Sequence, residues 1–390
     1  MQVQTIRLAN SISIQIFEHI SAIDEQVWNS ITTNIFFYQT HQFLSVIEEI
    51  HTTIQFRYVL VYKEDKIVAG LYTQLLHFSF RNLVNYNANA STGIKSKVKQ
   101  YIAKKDTKLL NLGNVFFTGD KGIICQQDDN IISLLPDIFT KLYASFTKQK
   151  PRAYLVANIY LQDESKCASF SSHAFHPFIT EPDMLMPIAA AWTSFDDYLS
   201  AISSKYRVRD KKILALSSSI KTVNFTLEEI KNNRVHFSHL YANVINHVAF
   251  NMATLSVDFF ERMKLLYADK FNIIGYYKEE ALVGFACLFN VDENMLHVHY
   301  IGLDYTINKE QKLYNRMLLD FVKFAIENKK NKIHFGRTAT EIKSTIGAQA
   351  FPLNAYLKMH NPMLNISLPY FLSRIKPAEY TLRNPFRELS

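Results

Sequence analysis

Glycine and proline are scarce in this chain, ten of each in 390 residues, which excludes long flexible linkers and fibrous repeats and predicts compact folding throughout. Cysteine is scarcer still. Cys125, Cys167 and Cys287 lie far apart in sequence and show neither a disulfide framework nor a CxxC metal pair, which fits a reducing compartment. Long apolar runs are missing too: the stretch from Met184 to Trp192 falls far short of the roughly 20 residues that a spanning helix needs. The first seventeen residues alternate like a strand and lack the basic start, apolar block and small-residue cleavage site of a signal peptide. A cytoplasmic chain is therefore expected, with any membrane contact peripheral and at the inner face.

Apolar material is plentiful. At 48% hydrophobic residues, a chain of this length can bury two cores, and two domains are the expectation. The formal net charge of +8 favours anionic partners: phosphate-bearing cofactors, anionic lipid surfaces, an acidic carrier protein or nucleic acid.

An internal repeat organises the rest. Tyr62-Lys63-Glu64-Asp65-Lys66-Ile67-Val68-Ala69-Gly70 is echoed by Tyr277-Lys278-Glu279-Glu280-Ala281-Leu282-Val283-Gly284, and the helix-like run from Thr40 to Ile47 by that from Ser256 to Met263, at nearly the same offset. Each copy reads as an amphipathic helix leading into a β-hairpin with a charged turn. A charged hairpin tip alone is commonplace, but two matches in one order argue for duplication. The boundary is expected near residue 190, giving domains 1–190 and 191–390. A helix opens at Ser194 with Asp197 as capping-box partner and is predicted to run to about Ser217. Its basic face, with Lys205, Arg207, Arg209, Lys211 and Lys212, is either solvated or a docking surface. A second basic stretch from Lys95 to Lys108 reads the same way. Strands are predicted around Asn272 to Tyr277, Leu282 to Asn290, Met295 to Leu303 and Lys332 to Phe335, with helices over Lys309 to Asn328 and Thr338 to Ile346. The pattern predicts an α/β chain of two tandem domains, each a mixed, mostly antiparallel sheet flanked by helices.

Three stretches carry a family resemblance: Leu112-Gly113-Asn114 through Gly119-Asp120-Lys121-Gly122, Tyr198-Leu199 through Lys205-Tyr206-Arg207, and Phe335-Gly336-Arg337-Thr338-Ala339 through Lys343-Ser344 to Gly347-Ala348. On these the chain resembles the GNAT superfamily in the double-domain arrangement of FemAB-like transferases and bacterial N-acyltransferases of the peptidoglycan biosynthesis or recognition type. The resemblance implies transfer of an acyl group from a thioester donor, acyl-CoA or acyl carrier protein, to an amine, with no tightly bound cofactor. The glycine-free stretch from Thr306 to Lys312, together with the basic faces and the lack of a spanning run, points to a long-chain lipid amine reached from a membrane surface as acceptor. FemAB-like proteins imply an alternative, aminoacyl-tRNA-dependent transfer onto peptidoglycan precursors with tRNA as partner, and a non-catalytic binding module is a further rival.

The resemblance also nominates residues in the second domain. Ala339, Lys343 and Gly347 occupy a spacing at which GNAT enzymes carry alanine, tyrosine and glycine, so Lys343 stands for the tyrosine that protonates the departing thiolate. As a plain helix lysine it would need no explanation. Arg337 could clamp a phosphate or carboxylate. Thr338 could touch cofactor or cap the next helix, with Glu341 as partner. Lys309 and Lys312 lie where the cofactor pyrophosphate would meet a helix start, although Thr306 to Lys312 contains no glycine. His299 or Asp304 would deprotonate the amine. His297 and His299 share a strand face, but His-x-His lacks a third ligand at recognisable spacing, so no metal is expected.

Overall fold

A computed structural model of the chain describes residues 5–8, 11–79, 106–126, 131–248, 252–375, 377 and 379–387. It divides into two compact units. The first comprises Met1–Thr180, Ala249–Thr254 and Pro352–Pro377; the second comprises Glu181–Val248, Leu255–Phe351 and Ala378–Ser390. This differs from a single cut between residues 190 and 191, because segments 249–254 and 352–377 belong with the first unit although each follows a stretch of the second.

The first unit is built on strands β1 (Thr5–Arg7), β2 (Ile12–Phe17), β3 (Gln55–Lys63), β4 (Lys66–Ser79), β5 (Asp106–Leu112), β6 (Ile123–Cys125) and β7 (Ala153–Tyr160). Neighbours pair antiparallel from β1 to β5, β6 adds to β4, and β5 pairs parallel with β7. Alternation along β4 sorts the side chains to two faces. Ala69 and Leu71 join the core formed with the helix Ile131–Ser145 through Leu135, Ile138 and Leu142. Gly70 faces the other way, against Trp28 and Ile31, and a Cβ there would stand 2.8 Å from the Ile31 side chain. The stretch from Leu112 to Gly122 closes on a buried Asp120 carboxylate. That carboxylate accepts from the amides of Asn114 (2.9 Å) and Gly122 (2.8 Å), from Gln39 Nε2 and from the Tyr72 hydroxyl. Here the residues that carry part of the family resemblance form an internal tie.

The second unit contains β8 (His176–Pro187) from Glu181 onward, β9 (Ile220–Asn224), β10 (Phe271–Lys278), β11 (Ala281–Phe289), β12 (Met295–Leu303) and β13 (Lys332–His334). The pairing order is β8-β13-β12-β11-β10-β9, antiparallel except for β12 with β13. Leu288, Leu296, Val298 and Ile333 meet the helices Phe195–Ala201, Ser204–Leu216 and Leu313–Glu327 on one face. Phe285 lies on the other, 4.7 Å from the ring of Phe237 and 5.3 Å from that of Phe260 on the helices Arg234–His247 and Asp258–Tyr267. A last strand, β14 (Gln349–Met359), belongs from Pro352 to the first unit, where it pairs antiparallel with β7.

The duplication inferred from the sequence is repeated in fine geometry. Glu64 and Glu279 turn their hairpins with the same left-handed φ of 56°. The register slips between Val61 and Tyr62 in one hairpin and between Tyr276 and Tyr277 in the other, the same place in each copy.

Two predicted helices are broken. The helix opening at Ser194 has its capping box with Asp197 but stops at Ala201 and restarts at Ser204. The cause is the segment near residue 386: Pro385 O accepts from Ser203 N at 2.8 Å, and Ile202 forms a β-bridge with Phe386. The predicted helix from Lys309 to Asn328 is likewise two, Tyr305–Gln311 and Leu313–Glu327, separated by Lys312 with φ of 55°.

Candidate functional site

The second unit's sheet parts between β12 and β13. Their parallel pairing covers Met295 with Lys332, Leu296 with Ile333 and His297 with His334. Beyond that point β12 stays with β11 as far as Leu303, opposite Gly284. The chain leaving β13 follows β8 instead: Phe335 N donates to Met184 O (2.9 Å) and Met184 N to Gly336 O (3.1 Å). A β-bulge falls beside the parting. His299 pairs with Cys287 and Ile301 with Ala286, so Tyr300 is the extra residue, with φ of 61°. The bulge puts His299 and Tyr300 on the same face.

Three histidines meet there. His297, His299 and His334 are buried, with ring centroids 5.3 to 6.0 Å apart. Asp183 on β8, fully buried, accepts from His334 Nε2 at 2.7 Å. Burial, together with the neighbouring His334, pushes the pKa of His297 and of His299 well below the ordinary histidine value. Sequence reasoning found the His297 and His299 pair but missed His334 and Asp183. The signal for Asp183 was a carboxylate set directly before the apolar run Met184 to Ile188, with Glu181 two residues earlier. None marked His334, because its partners reach it only through a parallel pairing across an intervening helix.

Lys343 lies in the short helix Thr340–Ser344, only 4% exposed. Its Nζ donates to the carbonyls of Phe335 (2.8 Å), Gly336 (3.4 Å) and Arg337 (2.6 Å). All three ammonium protons are thereby committed, which leaves none aimed at an oxyanion or a leaving thiolate. Burial brings its pKa down to about 7, against the pull of Asp183 and Glu181. The carbonyls it gathers belong to a turn with left-handed φ at Gly336, Thr338 and Ala339. Thr338 is exposed and does not cap the helix. Ala339 occupies the cap position, and Glu341 instead pairs with Arg383 at 2.6 Å. Arg337 is half-buried in that turn, past the end of β13.

The remaining nominees are elsewhere. Asp304 caps the helix Tyr305–Gln311, its carboxylate accepting from the amides of Thr306 (2.8 Å) and Ile307 (3.3 Å). A carboxylate so engaged is a helix cap rather than a free base, and it already holds amides that a pyrophosphate would use. Asn308 Oδ1 takes the amide of Tyr314 at 2.8 Å in the next helix. Lys309 and Lys312 are exposed. On the helix Ser204–Leu216, Arg209 is drawn into a 2.6 Å pair with Asp210 and a bond to Thr345 O, so the exposed basic face reduces to Lys205, Lys211 and Lys212. The stretch from Lys95 to Lys105 lies outside the described residues. Among the described residues, no helix is long and apolar enough to cross a membrane.

No protein family and no curated protein matches this chain by sequence. By structure it is similar to FemX, at 10% identity and a TM-score of 0.53 over 89% of this chain and 98% of that one. It is also similar to a tandem GNAT protein from the clavulanic acid biosynthesis pathway, at 8% identity and a TM-score of 0.54 over 90% and 99%. The chain thus has the GNAT-like, FemAB-like double-domain fold.

Proposed function

We propose that this chain is a transferase that moves an acyl group from a thioester donor, acyl-CoA or acyl carrier protein, onto an amine at the parting of β12 and β13. The observation that carries the reading is that parting, with buried imidazoles and a carboxylate gathered at its base. The double-domain fold shared with a tandem GNAT protein supports it. In this chemistry the neutral amine attacks the thioester carbonyl, a C–N bond forms, the C–S bond breaks, and the amine proton ends on the departing thiolate. Of the two nominated bases His299 is taken as the proton acceptor, since Asp304 is engaged at its helix start. Lys343 acts indirectly, by holding the turn that carries Arg337 and Thr338.

Features of each unit, taken separately, support a choice of donor and acceptor. With the helix-start amides after β12 partly taken by Asp304 and no glycine from Thr306 to Lys312, a free pyrophosphate gains little there. A long-chain acyl donor, recognised along its chain or through a carrier, fits better than acetyl-CoA, and a long-chain lipid amine fits as acceptor. Within the first unit, the helix Pro362–Leu372 presents Met363 and Ile366 at 82% and 81% exposure, with Arg374 over the ring of Tyr370. An apolar stripe beside a cation suits an anionic membrane surface.

Purified protein assayed with matched acetyl and long-chain thioesters against lipid amines, read by mass spectrometry, tests this. Preferential long-chain transfer is expected. Activity confined to aminoacyl-tRNA would replace this reading with the FemAB-like one, and absence of transfer with every donor would leave a binding module.

A further inference from the structure

His297 and His299, two apart on β12, project from one face of the strand, and β13 places His334 directly beside His297. One ring nitrogen from each of the three can be chosen so that all lie within 4.8 Å of one another. The third ligand that His-x-His lacks in sequence is therefore present in space. Asp183 fixes the chemistry of that third ring: its Oδ2 accepts from His334 Nε2, which makes Nε2 the protonated nitrogen and leaves the lone pair on Nδ1. Nδ1 is buried and has no hydrogen-bond partner among the described residues.

We propose that His297, His299 and His334 form a site for one divalent transition-metal ion of the kind that prefers imidazole, with zinc as the type, and that Asp183 orients His334 from behind. Zinc binds histidine nitrogen at about 2.0–2.1 Å in tetrahedral geometry, which spaces ligand atoms roughly 3.4 Å apart. Binding an ion would therefore require the rings to turn toward a common point. Three protein ligands leave a fourth position for water or another small donor. An all-imidazole set selects zinc, cobalt, nickel or copper over the oxygen-seeking magnesium and calcium. A carboxylate bonded to the far nitrogen of a ligating histidine is the arrangement that fixes ring orientation and raises ligand basicity. Because ion and proton compete for the same lone pair, His299 does not serve as a base while an ion is held.

The test uses the full chain, stripped with chelator and titrated with Co2+ and then Zn2+, with metal counted by mass spectrometry. One equivalent of Co2+ with visible ligand-field bands, displaced by Zn2+ and absent in His334→Gln, is the expected result. Asp183→Asn should weaken binding about 10–100-fold while leaving the stoichiometry at one. Circular dichroism establishes that each variant folds. The wild-type titration stands without them, since its outcome needs no substitution. Failure of the stripped wild type to take up one equivalent overturns the site, as does a cobalt spectrum unchanged in folded His299→Gln. Binding is read without donor or amine, so a chain that holds zinc and transfers nothing upholds this inference while sinking the transfer reading. Transfer by a chain that binds no metal does the reverse.

Discussion

Lys343 ties three successive carbonyls with one nitrogen, and its loss would leave those of Phe335 and Arg337 without that donor, while Gly336 O keeps the amide of Met184. From sequence, Lys343→Met is expected to spare folding, since the two residues have similar helix propensity. The structure reverses that expectation. Lys343→Met should lower stability by about 3 kcal/mol, less whatever is regained by no longer burying a charge, measured by denaturant unfolding. Gly122 offers a cleaner case. With φ of +68° and a hypothetical Cβ 2.2 Å from the backbone nitrogen of Gly113, it has no room for a side chain. Gly122→Ala should cost about 3 kcal/mol in the same measurement, and a loss below about 1 kcal/mol would contradict the close backbone approach. At this scale the sequence is partly readable. A glycine among the motif residues signals a special backbone, and His-x-His on an alternating strand signals a shared face. It does not show that Asp304 caps a helix or that Lys343 is spent on carbonyls, because both facts depend on where the neighbouring backbone turns.

Elements were more legible than residues. The strand Met295–Leu303 has the limits its apolar alternation predicts, and both charged hairpin turns are where the repeat places them. Period-two patterning and turn chemistry are local properties, so one sequence suffices to read them. The break at Ser203 is not local: it is enforced by Pro385 and Phe386 from nearly two hundred residues away, and no propensity at Ser203 announces it. The capping boxes carry a pH signature. Asp197 is held below its ordinary 3.8 by hydrogen bonds from Thr193 and Ser194, and Glu229 below 4.5 by bonds from Thr226. A carboxylate whose folded pKa is depressed contributes stability above its unfolded value and loses it as pH falls through the folded one. The wild type should therefore show an extra fall in melting temperature below pH 4.5 that the double variant Asp197→Asn, Glu229→Gln lacks. Parallel curves for the two proteins throughout the acid range would remove the capping boxes from the account.

At the scale of the whole chain, two domains and their tandem, mostly antiparallel α/β character were readable from composition and repeat, whereas the interleaving of segments was not. Nothing in residues 352–377 says that they complete the first unit. Their contribution is the β14 strand on β7 and the helix Pro362–Leu372, whose Leu368 and Leu372 join Leu155 and Ala157 in a core. A fragment of residues 1–190 therefore lacks a strand and leaves β7 with an open edge, a template for association. That fragment should elute as oligomers or aggregate, and a peptide of residues 352–377 added during refolding should restore a monomer. A stable monomeric fragment without the peptide would show that the first unit closes without β14. The same interleaving sets a timetable during translation. At roughly 5–20 residues per second, the ribosome delivers Pro377 about 10–45 s after Tyr160. For that interval the nascent first unit waits with β7 unzipped while the polypeptide of the second emerges, which makes β7 a natural place for a chaperone to hold the growing chain.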